Sequence, residues 1–312
     1  MNGLETAERF YETCGKPMID REFAQFADVI AAGLAGQGSE CFGFDDEFSR
    51  DHDFGPGFIL WIPERYKEKI GSELQRAYDL LPSETEAASG SIITPERAKR
   101  VGVMTTEQFY TNFTGRPTAP ETNADWLRIP QRFLAEAVNG KVFYDPLGEF
   151  SAVRSALLSY YPPDVLKKKL AANCAAMGQA GQYNYVRCIK RGHYESAYLA
   201  CCEFVKSALA ALYLLNGTYM PFYKWAFKKA ESFRSPEGSF ERIKKLPGAS
   251  DKTEGEKKIA LIEEICLSVE KELVRRGLSD AFDDFIPAHA ESLTKTIEDP
   301  FIRGLHITAG AD

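Results

Sequence analysis

Gly38-Ser39-Glu40-Cys41-Phe42-Gly43-Phe44-Asp45-Asp46-Glu47-Phe48-Ser49-Arg50-Asp51-His52-Asp53-Phe54-Gly55-Pro56-Gly57 is the stretch on which the fold turns. It opens on a small Gly-Ser pair, closes on an acidic doublet and runs straight into the apolar segment Phe58-Ile59-Leu60-Trp61-Ile62. In a strand, residues i and i+2 face the same side, so Asp51 and Asp53 project together while His52 points away. Two neighbouring carboxylates repel each other unless a cation lies between them. Oxygen donors with no Cys or His at matching spacing favour a hard ion such as Mg²⁺, which takes one or two carboxylates plus phosphate oxygens. Ser39, with the backbone N–H groups that Gly38 leaves open, would then hold the phosphate tail.

Gly-Ser, a spacer and Asp-x-Asp at a strand resemble the signature of the nucleotidyltransferase superfamily that includes DNA polymerase β and kanamycin nucleotidyltransferase. The fuller wording, Gly36-x-Gly38-Ser39 through Asp45-Asp46 and then Ser49-Arg50-Asp51-His52-Asp53-Phe54-Gly55, is similar to a bacterial branch of it. Asp125-Trp126-Leu127, Asn139-Gly140-Lys141-Val142-Phe143-Tyr144-Asp145 and Leu215-Asn216-Gly217 through Trp225 match the same branch, so the likeness runs over most of the chain. The resemblance implies an α+β fold: an N-terminal mixed sheet with helices, followed by an all-α helical domain. It also implies a nucleoside triphosphate substrate, Mg²⁺ on Asp51 and Asp53, and a third carboxylate on the next core strand. Val101 to Thr106 carries no acid, which leaves Glu107 and Asp125 as candidates, and after them Asp145, whose Asp145-Pro146-Leu147-Gly148 setting is a good turn in its own right.

With 312 residues, 44% of them hydrophobic and 27% charged, the chain has enough apolar surface for one large or two ordinary domains. A net charge of −7 and a pI near 5.4 argue against long nucleic acid as a partner, because phosphate neutralisation needs clustered Lys and Arg. The first residues lack a signal-peptide pattern and the nearest approach to a membrane-length apolar span is Ser207 to Leu215, so a cytoplasmic location without a membrane is expected. Seven Cys, an odd number, fit reduced thiols. The Cys201-Cys202 pair reads as helix packing rather than a redox or metal site.

Along the chain, residues 4–35 read as two helices broken near Gly15-Lys16-Pro17, followed by a strand through Ala31 to Gly36. Pro63 stops the strand at Ile62 and begins a helix to about Leu81. Val101 to Met104 is another short strand, followed by a helix or turn around Glu107 to Phe113 that ends at Gly115-Arg116-Pro117. From Ser151 helix formers dominate, placing a domain boundary near 150: a nucleotidyltransferase-like domain over 1–150 and a helical domain over 151–312. Loops are expected at Gly178 to Gly181 and Pro247 to Gly255. His289 reads as a surface or interface residue. Tyr219, Tyr223, Lys224 and Trp225 are either aromatics turned to a core or a ligand wall, with Lys224 reaching the triphosphate and a Tyr or Trp, Tyr219 the candidate, flanking the base or acceptor. Arg187 and His193 match the spacing of helical-domain ribonucleases, which carry an Arg and a His on one helix.

The expectation is a Mg²⁺-dependent nucleotidyltransferase that moves a nucleoside monophosphate to an acceptor hydroxyl, of a small molecule and, on net charge, a cationic one. A non-catalytic nucleotide-binding regulator and a ribonuclease are the alternatives. Oligomeric state is not legible.

Overall fold

The computed structural model describes residues 2–50, 55–82 and 99–311. The chain forms two compact units, Met1–Ala119 with Phe133–Ser159, and Pro120–Arg132 with Tyr160–Asp312. The first is α+β and the second is helical.

Four short strands make the sheet of the first unit: β1 Ala31–Leu34, β2 Ile59–Ile62, β3 Gly102–Thr105 and β4 Lys141–Tyr144, in the order β3-β2-β1-β4. β1 runs antiparallel to β2 and β4, and β2 runs parallel to β3, so the sheet is mixed. The unbroken run Ile59-Leu60-Trp61-Ile62 is buried throughout, as a strand covered on both faces requires. Leu60 and Ile62 pack with Ala32 against Phe10, Ile19 and Leu74 from the covering helices. Trp61 points the other way, stacked on Phe150 with ring centroids 3.7 Å apart and edge-on to Phe109 at 5.5 Å.

The pairing gathers strand ends of a particular kind. Gly33 lies opposite Ile59, Ile59 beside Gly102, and Leu34 opposite Lys141. One end of the sheet therefore holds the finish of β1 together with the beginnings of β2, β3 and β4. Residues 35–42, 55–58, 99–101 and 139–140 all attach there.

The expected helix break at Gly15-Lys16-Pro17 does not occur. A helix over Gly3–Phe10 passes through a π-turn at Tyr11–Gly15 into a second helix, Lys16–Glu22, with Pro17 in its first turn, where a missing N–H costs nothing. Residues 24–29 form a 3₁₀ turn rather than more α-helix.

In the second unit the helix Tyr194–Leu215 packs against Pro163–Met177 and Asp251–Arg275. It is long and apolar enough to cross a membrane by length and composition, yet 67% of its most apolar window is buried inside the protein, the position of a core helix. The loop expected at Gly178 to Gly181 is helical, a π-segment Gly178–Tyr185 continuous with the helix before it. The glycines serve close approach instead: a Cβ on Gly178 would lie 2.2 Å from Pro287, and one on Gly181 2.4 Å from Phe204. The expected loop to Gly255 ends early, because Ser250 caps a helix starting at Asp251. His289 is not at the surface either. It is buried, with Nδ1 2.9 Å from Ser279 Oγ and Nε2 3.1 Å from the Asp283 carbonyl.

Candidate functional site

The Gly-Ser turn follows β1 directly. Gly36 exchanges two 2.7 Å hydrogen bonds with the side chain of Asn139, its N–H donating to Oδ1 and its carbonyl accepting from Nδ2. Gly140 N–H donates to the Cys41 carbonyl at 2.8 Å. These bonds pin the turn to the approach of β4. Gly38 has φ 118°, a conformation L-residues avoid, so a side chain there would strain the chain as well as crowd Arg100 and Glu40. Ser39 begins the short helix Ser39–Phe42 and is half-buried.

Arg100 was not singled out by sequence reasoning. A Cβ on Gly38 would lie 3.3 Å from Arg100 Nη1, so the guanidinium stands beside the turn. The signal was present in Lys99-Arg100 just ahead of β3, but it needs the β2–β3 pairing to become meaningful. Burial drives the neighbouring Cys41 thiol well above its ordinary pKa, with Glu40 and Glu136 adding to the effect and Arg100 opposing it. A positive group and two acids therefore share this end of the sheet.

Asp51 and Asp53, with His52, lie outside the described residues, and no metal-competent cluster of His, Cys, Asp and Glu occurs among the described ones. What is placed is the chain on either side. Gly55 follows Asp53 by two residues and leads to Phe58, whose N–H donates to Tyr78 Oη at 3.1 Å ahead of β2. The loop before the doublet is anchored by Asp45, which accepts from Gly3 N–H at 2.9 Å, and Asp46 closes a turn with Ser49.

The structure does not bring Glu107 to this end. It lies beyond the finish of β3, where its carboxylate accepts from Glu64 N–H at 3.0 Å just past the finish of β2. Four residues of strand, about 13 Å, separate the two ends. Asp145 is at the far end of β4 and accepts from Gly148 and Ser151 N–H, as a turn residue does. Asp125 belongs to the second unit and forms a capping box with Thr122 on the helix Asn123–Arg128.

In the second unit Tyr219 is buried against Tyr160 and Tyr161, with centroids 4.8 and 5.1 Å away, and burial raises its phenol pKa. Lys224 is exposed, its ammonium 4.9 Å from the Trp225 ring centroid. Arg187 and His193 do not share a helix: Arg187 is in Val186–Lys190 and stacks on Tyr183, while His193 precedes Tyr194–Leu215 after the turn at Gly192.

Sequence reasoning also missed a cavity of about 870 Å³ lying wholly within the second unit. Its lining includes Arg128, Arg132, Lys169, Lys206 and Lys258 and, among the described residues, no Asp or Glu. Tyr223 lines it; Tyr219 and Lys224 do not. One partial signal is the stripe Tyr198, Cys201, Cys202, Val205, Lys206 and Leu209, which repeats at helical spacing on one face.

A family described as a domain of unknown function (DUF4037) matches residues 126–226. No curated protein matches the chain. Among solved structures, a nucleotidyltransferase-like protein from Exiguobacterium sibiricum 255-15 aligns with 13% identity over 95% of this chain and 91% of its own, at a TM-score of 0.39, a likeness too loose to define the fold.

Proposed function

We propose that this protein is a nucleotidyltransferase that uses Mg²⁺ and a nucleoside triphosphate, through a site at the end of the sheet where β1 finishes and β2 begins. The observation that carries this reading is the common end: the left-handed Gly38, Ser39 and Arg100 stand where the segment bearing Asp51 and Asp53 joins β2. An oxygen-only pair of carboxylates fits a hard divalent ion, which when bound neutralises phosphate charge. Ser39 would donate to the β- or γ-phosphate, and Arg100 would offset charge on the same tail.

In the reaction an acceptor hydroxyl attacks the α-phosphorus, a new P–O bond forms, the bridge to the β-phosphate breaks and pyrophosphate departs. The hydroxyl proton passes to a base. With Glu107 at the opposite end of β2, the described acids that act on Cys41 beside the turn are Glu40 and Glu136, and neither is on β3. That displacement of the expected third carboxylate favours one alternative, a nucleotide-binding regulator without turnover.

Transfer of label from an α-labelled nucleoside triphosphate to a panel of small hydroxyl compounds, with and without Mg²⁺, decides between them. Metal-dependent transfer that Ser39→Ala weakens supports the enzyme. Saturable nucleotide binding with no transfer to any acceptor supports the regulator, and absence of nucleotide binding removes both.

A further inference from the structure

We propose that the cavity of the second unit binds a small oxyanion carried on an apolar body, such as an aromatic or aliphatic phosphate or carboxylate. Acids outnumber bases along the chain, 45 to 38, yet among the described residues this cavity has five cationic side chains in its lining and no carboxylate. Net charge alone favours cationic ligands; the cavity's own charge is the reverse. Of the five, Lys258 is neutralised by Asp251, which stands behind it. Arg128 and Lys206 form no ion pair with any described residue and are exposed at the rim.

Two of the cations are built in rather than draped over a surface. Lys169 and Lys258 are each 1% exposed, and burying a lysine is costly unless its charge is used. Lys169 Nζ donates to the Gly310 carbonyl at 3.3 Å and lies 5.4 Å from the Tyr161 ring centroid. Lys258 Nζ also donates to the Ala249 carbonyl and faces Tyr185. Gln131, fully buried, is fixed by accepting from Met220 N–H at 3.1 Å. These bonds hold the polar floor in place before a ligand arrives, which lowers the ordering cost of binding.

Leu209, Met220, Phe222 and Phe227 supply the apolar wall. A volume near 870 Å³ is within the range of small-molecule pockets, about 300–1,000 Å³, and far exceeds a bare phosphate. A rim with Arg128 and Lys206, a floor that holds Lys169 and an apolar wall between them call for a ligand with a charged head and an apolar body. The proposal is independent of nucleotidyl transfer.

Isothermal titration of the full chain with 2-naphthyl phosphate, 2-naphthoate, 2-naphthylmethanol and inorganic phosphate tests it. At least one of the two naphthyl anions is expected to bind about tenfold or more tightly than both the alcohol and inorganic phosphate, and whichever anion is tighter names the head group. The double variant Arg128→Gln/Lys206→Gln, both at exposed positions, should weaken that anion by about tenfold while leaving the melting temperature unchanged. Added salt should weaken it too. The proposal is overturned if the alcohol or inorganic phosphate binds as tightly as both naphthyl anions, if the double variant binds as the parent does, or if neither anion binds.

Discussion

The two units carry their candidate sites in opposite ways. In the first, the turn and the acidic doublet come from twenty consecutive residues, and the remote partners among the described residues include Gly3, Arg100, Asn139 and Gly140. In the second, the lining runs from Leu127 to Ala311 and none of its cations neighbours another in sequence. A site set by local backbone conformation announces itself as a motif, because glycine with positive φ and paired acids are rare demands. A site set by the sum of distant side chains announces nothing until the helices have packed.

The most severe way to break this contrast is to remove the doublet. Asp51→Asn with Asp53→Asn should lower labelled-nucleotide transfer by at least about 10³-fold, the scale of losing preorganised charge stabilisation, while naphthyl phosphate binding stays at the parental value. Equal loss of both activities would mean that the two sites are not separate. Next in size is Trp61→Ala, which removes the ring stacked on Phe150 and should destabilise the fold by about 3–5 kcal/mol in urea unfolding. Gly181→Ala tests a close helix contact of the second unit, where a methyl would meet Phe204. A cost of about 1–3 kcal/mol is expected, and a neutral result would show that the helices part readily.

How much was legible follows the same line. The strand at Ile59–Ile62 shows as an unbroken apolar run, and the helical second half shows in its composition. Gly15, Gly178 and Gly181 misled because glycine signals both a turn and a tight contact. Gly15 lies 2.5 Å, measured from an ideal Cβ, from Phe58, a residue 43 positions away that no local window contains. His289 looked like a surface residue until Ser279 and the Asp283 carbonyl were seen around it. Arg100 and the ordering of acids at the two ends of the sheet depend on strand polarity, which only pairing defines. Within Lys167-Lys168-Lys169, Lys168 is fully buried with Nζ 2.9 Å from the Leu305 carbonyl, and burial lowers its pKa, a placement that only the packed helices define.

A charge of the opposite sign sharpens the picture of the second unit. Glu270, on the same helix as Lys258, is 4% exposed, and its Oε1 has no hydrogen-bond partner among the described residues. Burial pushes its carboxyl up to about 7, with Asp284, Glu263 and Asp283 adding to the effect. Between the unfolded value, about 4.3, and about 7 the native state holds the extra proton, so stability falls as pH rises through that window. Above about pH 7 the buried group must ionise at a cost. Glu270→Gln should therefore flatten the slope between about pH 5 and pH 7 and be about 1–3 kcal/mol more stable than the parent near pH 8. A parental slope that persists in the variant would place the titrating group elsewhere.

The smallest effects expected are at the two acids first considered as bases, and their smallness is the informative part. Glu107 accepts a hydrogen bond from Glu64 N–H at the wrong end of β2 for the Gly-Ser turn, and Asp125 caps a helix in the other unit. Their alanine variants should each lose about 1 kcal/mol of stability, the worth of a cap or a single net hydrogen bond. Label transfer, measured well below the melting temperature, should stay within about threefold. A general base contributes about 10²–10⁴-fold, so a loss of that size in either variant, with the fold intact, would restore it to the chemistry. For Glu107 it would mean that the reacting hydroxyl approaches from the end of the sheet opposite Gly38. The strand pairing argues against that, since Gly33 lies across from Ile59 and both Ser39 and the acidic segment leave the sheet at that end.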